Sequence, residues 1–120
     1  MCRLVTLKLN GKDVQIADIK LDCVRNIVDA AQKCKYIDKV VLFGSVLNEK
    51  CKEQSDIDIA VFGNVAKNKC LSSKDYKEFT HQLYRFDDFA QTYDILYFRS
   101  GSANDSFIRR EIDKGEVIYG

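Results

Sequence analysis

Val5, Leu7 and Leu9 alternate with polar residues, Asn10-Gly11 follows, and Val14 and Ile16 resume the alternation. Asn-Gly between two segments of period two predicts a β-hairpin, because both central positions of its tight turn need positive φ. From Asp18 the period lengthens. Ile19, Cys23, Ile27, Ala30, Ala31 and Cys34 recur at helical spacing, and Asp18 is placed to cap the helix. Lys39 to Phe43 is a short apolar run that reads as a buried strand ending at Gly44-Ser45. Asp56 to Phe62 alternates as a second strand and stops at Gly63-Asn64. Ser72, with Asp75 three residues on, opens a helix in capping-box style, and Tyr76, Phe79, Leu83 and Phe86 form its apolar stripe. Thr92 to Phe98 reads as a third strand, broken by Gly101-Ser102. A helix is expected from about Asn104 to Lys114 with Gly115 capping its end, and Val117 to Tyr119 closes as a short strand.

Strands and helices alternate without proline, repeats or linker-like stretches, which places the chain in the α/β (α+β) class. The expected architecture is a small mixed central sheet of three or four strands flanked by helices, with an N-terminal hairpin. A length of 120 residues suits one domain, 1–120, with 1–17 as the hairpin extension. Charge narrows the partners. A formal net charge of +1 and a pI near 7.6 give no global field toward nucleic acid or membrane. No apolar run approaches the ~20 residues of a membrane span, and the alternating N-terminus lacks a signal-peptide core, so a cytoplasmic protein is expected. Five scattered cysteines, odd in number and without Cys-x-x-Cys, read as free thiols. His81 is the sole histidine and excludes a multi-histidine metal centre; beside Phe79 and Leu83 it reads as a helix-surface residue.

Three features carry candidate chemistry. Gly44-Ser45 directly follows an apolar strand, where glycine admits a phosphate oxygen to the backbone amides and the serine hydroxyl adds a donor. Asp56 and Asp58 are two apart on a strand, so they share one face while Ile57, Ile59 and Val61 turn to the core. A spacing of ~6.6 Å lets both carboxylates lean onto one ion, and hard oxygen ligands select Mg²⁺ completed by substrate phosphates. Asp94 stands in an apolar strand beside Leu96 and Phe98 on its own face, a costly place for an acid without a metal, a hydroxyl or a cation to pair with.

Phe43-Gly44-Ser45, ten residues, then Asp56-Ile57-Asp58-Ile59 resembles the signature of the DNA polymerase β-like nucleotidyltransferases. Short length and Gln54-Ser55-Asp56-Ile57-Asp58 resemble in particular the minimal nucleotidyltransferases, the MNT type. The later Asp94 strand and the closing Ile112 to Tyr119 segment fit the same pattern. The resemblance implies that Gly44 and Ser45 hold a nucleoside triphosphate. It also implies that Asp56, Asp58 and Asp94 bind Mg²⁺ (or Mn²⁺) and are catalytic, Asp94 lying near the attacking hydroxyl. The implied reaction is transfer of AMP from ATP to a hydroxyl with loss of pyrophosphate.

One departure stands out. Many minimal members carry arginine in the turn after Gly-Ser, whereas this chain has Val46-Leu47-Asn48-Glu49, with Lys50 and Lys52 as the nearest cations. The resemblance further implies a partner: minimal nucleotidyltransferases are often the antitoxin of a toxin–antitoxin pair with a HEPN ribonuclease, and some AMPylate it on tyrosine. Two alternatives remain open: a catalytically weak binding module that neutralises its partner by complex formation, and nucleotidyl transfer to a small molecule. Small-molecule relatives generally use an additional helical acceptor domain, for which 120 residues leave no room.

Overall fold

The structure is a computed structural model that describes residues 2–9, 11–101, 110 and 112–120. Strands β1 (Leu4–Leu9) and β2 (Lys12–Ala17) form the hairpin in antiparallel register, Leu9 opposite Lys12, with Gly11 at φ +76°. Asn10 lies outside the described residues. Val14 and Ile16 alternate inward and are fully buried, so the hairpin is anchored by one apolar face.

The helix expected from Asp18 begins later. Asp18–Lys20 is a 3-10 turn, and α1 runs Leu21–Gln32 with Lys20 at its N-cap position and no side-chain cap. Asp18 instead accepts the Arg3 N–H on Oδ1 at 3.1 Å, tying the turn to the hairpin. The tighter turn takes Ile19 out of helical phase, and it is exposed. Cys23, Ile27, Ala30, Ala31 and Cys34 are buried as the spacing requires.

After β3 (Ile37–Phe43), a 3-10 turn at Gly44–Leu47 and β4 (Ile57–Gly63), two helices follow: α2 (Lys67–Leu71) and α3 (Lys74–Arg85). The cap of α3 is Ser73, not Ser72. Ser73 has extended backbone and accepts Tyr76 N–H at 3.1 Å, whereas Ser72 keeps helical geometry at the end of α2 and donates to Asn68 O at 2.8 Å. Tyr76, Phe79 and Leu83 are buried, but Phe86 falls past the last turn of α3 and is exposed. Strands β5 (Tyr93–Arg99) and β6 (Glu116–Tyr119) complete the sheet. Most of the helix expected over 104–114 lies outside the described residues; residues 110, 112 and 113 are helical. Gly115 follows with its N–H bonded to Ile112 O at 2.9 Å. It lacks the positive φ of a glycine cap; a Cβ there would strike the Leu42 carbonyl oxygen.

The four-stranded sheet has the order β5-β4-β3-β6, with β4 and β5 parallel and the other pairs antiparallel. It is the mixed central sheet that the sequence predicts. The parallel pair requires a crossover, which α2 and α3 supply. Alternation splits the sheet into two faces. Val40, Leu42, Ile57, Ile59, Val61, Tyr93 and Tyr97 pack with α1 and α3 in the main core, while Val41, Ala60 and Phe62 belong to a smaller cluster on the other side. Asp58 and Asp94 share the phase of this second face. Helices α1 and α3 therefore cover one side, and the acids project from the other, where the helical residue Ile112 joins the smaller cluster.

Candidate active site

Asp58 occupies the centre of the site because of strand register. It lies opposite Phe43 on β3 and opposite Asp94 on the parallel strand β5. Gly44, the residue after Phe43, has φ +81°, and a Cβ at this position would overlap the Asp58 carboxylate oxygen Oδ2. Only glycine lets the chain turn here so close to the acid. Ser45 is half-buried in the same 3-10 turn, with Val46 fully buried beneath it. The Gly-Ser turn and two of the three aspartates thus meet at one end of the sheet, where β3 finishes and β4 and β5 start.

Asp56 comes in from the residue before β4 and is exposed. Its Oδ1 accepts the Thr92 hydroxyl, and the backbone reinforces the contact: Ile57 N–H donates to Thr92 O at 3.1 Å. Burial raises the Asp58 carboxyl from its ordinary value, and the charges of Asp94 and then Asp56 push it further the same way. Among the described residues no ion pair involves any of the three.

Two sequence expectations need correction or refinement. Asp94 is exposed, because β5 is the edge strand and Leu96 and Phe98 on its face are only half-buried. Its carboxylate therefore meets solvent. And although Asp56, Asp58 and Asp94 are neighbours, no group of three or more His, Cys, Asp or Glu among the described residues is drawn together in a form that could hold a metal ion. Asp56 turns its Oδ1 to Thr92 instead. The chemistry of the donor set still suits a hard divalent cation: only carboxylate oxygens, mutually repelling, beside a backbone turn open to phosphate.

Sequence reasoning missed the polar cluster behind these acids. Lys20 is 2% exposed, and its Nζ donates to Glu53 O at 2.7 Å, Ser55 O at 2.9 Å and Gln91 Oε1 at 2.5 Å. Gln91, also buried, donates from Nε2 to Ser55 O at 3.0 Å and Thr92 O at 2.7 Å. A lysine between Ile19 and Leu21 carries no local signal of burial, since its partners are 33 to 71 positions away.

Other titratable groups stand apart from this end of the sheet. All five cysteines are free and buried, and burial raises the thiols of Cys23, Cys34, Cys51 and Cys70. Neutral, inaccessible thiols are poor nucleophiles. His81 is exposed on α3, in a groove of about 350 Å³ with Lys33, Glu78 and Arg85, on the α1–α3 side of the sheet. No helix among the described residues is long and apolar enough to cross a membrane.

The family model for the polymerase beta nucleotidyltransferase domain matches residues 25–120, well over half of the chain. The chain belongs to the DNA polymerase β-like nucleotidyltransferases. Its fold and the order of its Gly-Ser turn and aspartates agree with that membership, and nucleotidyl transfer is the general activity of the class. A comparison with the curated proteins returns no match.

Proposed function

We propose that this protein transfers AMP from ATP to a hydroxyl of a partner protein of the HEPN type, acting as the antitoxin of a toxin–antitoxin pair. The observation that carries the catalytic part is the register pairing of Asp58 with Asp94, closed on its other side by the Gly44 turn. In this reading the open backbone at Gly44 and the Ser45 hydroxyl receive the triphosphate. Asp94, on the exposed edge strand, accepts the proton of the attacking hydroxyl. The hydroxyl oxygen bonds to the α-phosphorus as the bond to pyrophosphate breaks. Asp56 and Asp58, with Asp94, would hold Mg²⁺ or Mn²⁺, which supplies charge neutralisation of the phosphates. The partner is argued from the resemblance to minimal nucleotidyltransferases and from an acceptor edge that is open to a macromolecule.

A second reading has its own observation. The turn after Gly-Ser holds the fully buried Val46 where many minimal members have arginine, and the exposed Lys50 and Lys52 are the nearest cations in sequence. A weak hold on triphosphate favours a binding module that neutralises its partner without modifying it.

Calorimetry with ATP in Mg²⁺ and in EDTA, and co-expression with the genomic neighbour followed by mass spectrometry, test both readings. The enzyme reading expects ATP binding that is lost in EDTA and an added AMP mass on the neighbour. A stable complex without added mass selects the binding module. Equal ATP affinity in both buffers defeats the metal-bridged site, and a neighbour that neither associates nor changes mass defeats the antitoxin role.

A further inference from the structure

We infer that Lys20 is a positioning residue for the aspartate site: with Gln91 it fixes how far apart the starts of β4 and β5 stand, and so the gap between Asp56 and Asp94. The inference rests on the reading of these acids as metal and phosphate ligands.

An ammonium has three protons to donate, and Lys20 uses three acceptors: Glu53 O, Ser55 O and Gln91 Oε1. Two lie on the loop that leads into Asp56, and the third lies three residues before Asp94. Gln91 closes the ring, since its Nε2 reaches Ser55 O and Thr92 O from the same side chain. Its own N–H is held by Asp87 Oδ1 at 3.2 Å, which fixes the chain ahead of β5. Every polar atom of the two side chains is engaged. Strand pairing starts at Ile57 and Tyr93, with the Ile57 N–H to Thr92 O bond at its head, and the cluster braces the two segments just ahead of it.

No carboxylate pairs with Lys20 among the described residues, and an unpaired buried ammonium is a costly way to fill space. An apolar side chain of similar length would fill the same volume. It could not hold two carbonyls and an amide oxygen on separate segments at one point. The 3-10 turn at Asp18–Lys20 is what aims the side chain inward, which gives the N-terminal hairpin a part in building the site.

The test uses Mn²⁺ alone as probe, titrated by electron paramagnetic resonance into the full chain, with circular dichroism and melts in EDTA to establish folding. Lys20→Met and Gln91→Ala are each expected to lose at least about tenfold in Mn²⁺ affinity, as groups supporting metal ligands typically do. Lys20→Arg, which keeps the cation and its donors, recovers part of that loss. A lysine that merely supports the fold lowers the melting temperature and leaves the Mn²⁺ affinity of the folded protein unchanged; that result overturns the inference alone. If Lys20→Met does not fold, Gln91→Ala, which leaves Lys20 its two carbonyl partners, decides between the two roles. Wild-type protein that binds no Mn²⁺ overturns the metal reading, and this inference with it.

Discussion

Two polar clusters lie at the starts of the same two strands and handle charge in opposite ways. On the side of α1 and α3, the Lys20 ammonium is buried and each of its protons has an oxygen. On the other side, Asp56, Asp58 and Asp94 are exposed or half-buried, carry like charge, and have no ion-pair partner among the described residues. Period-two alternation separates them: the phase that turns Gln91 inward turns Thr92 and Asp94 outward. A saturated cation contributes order and has nothing left to offer a ligand. Unpaired, mutually repelling acids oppose folding slightly and offer much to a cation, the pattern expected where a local rule is broken for function.

The sharpest way to break this contrast is to remove one charge from the open side. Asp58→Asn should weaken Mg²⁺-dependent ATP binding at least ~100-fold, about 2.7 kcal/mol, while leaving the protein folded. Calorimetry with wild type and variant in the same Mg²⁺ buffer checks it. Retained affinity would mean that Asp58 is not a ligand, and the open side would be only a solvated surface.

Gly44→Ala tests the contact between the turn and the acid. The new Cβ would overlap Asp58 Oδ2 and would hold alanine at φ +81°. Strain of this kind costs about 1–3 kcal/mol, so the urea midpoint should fall. A midpoint equal to wild type would show that the turn does not press on Asp58.

How much of this was legible in the sequence depends on the range of the interaction. The hairpin, both faces of β4 and the core stripe of α1 follow from local periodicity, because burying one face needs only residues two to four apart. Register could be read only in part. Phe43-Gly44-Ser45 and Asp56-Ile57-Asp58 were visible as motifs, but their meeting with Asp94 depends on the pairing of β4 with β3 and β5. The exposure of Asp94 is not legible, since alternation assigns a face and says nothing of whether a strand is at the edge of its sheet. Ser72 and Ser73 offer the same capping chemistry, and the end of α2 decides between them. Lys20 was invisible for the opposite reason, its partners all being remote in sequence.

The smallest effect is the most specific to the contrast. In the folded protein the Asp58 carboxyl is raised by burial and by Asp94 and Asp56. The native state therefore holds this proton more tightly than the unfolded chain does. Ionised Asp58 opposes folding, and the opposition is absent below the ordinary aspartate value of about 3.9. It grows as pH rises and is complete above the raised native value. Asp58→Asn has no such charge, so in EDTA at pH 7 it should melt higher than wild type by about 1–3 °C, the scale of a partly solvated site in a chain of this size. The difference should shrink toward zero as pH falls below the ordinary aspartate value. Melts of both proteins across that range measure it. A buried ion pair predicts the reverse, since removing one partner costs about 3–5 kcal/mol. A large drop in the variant's melting temperature in EDTA would place Asp58 with Lys20, among the charges that hold the fold, and erase the distinction between the two sides.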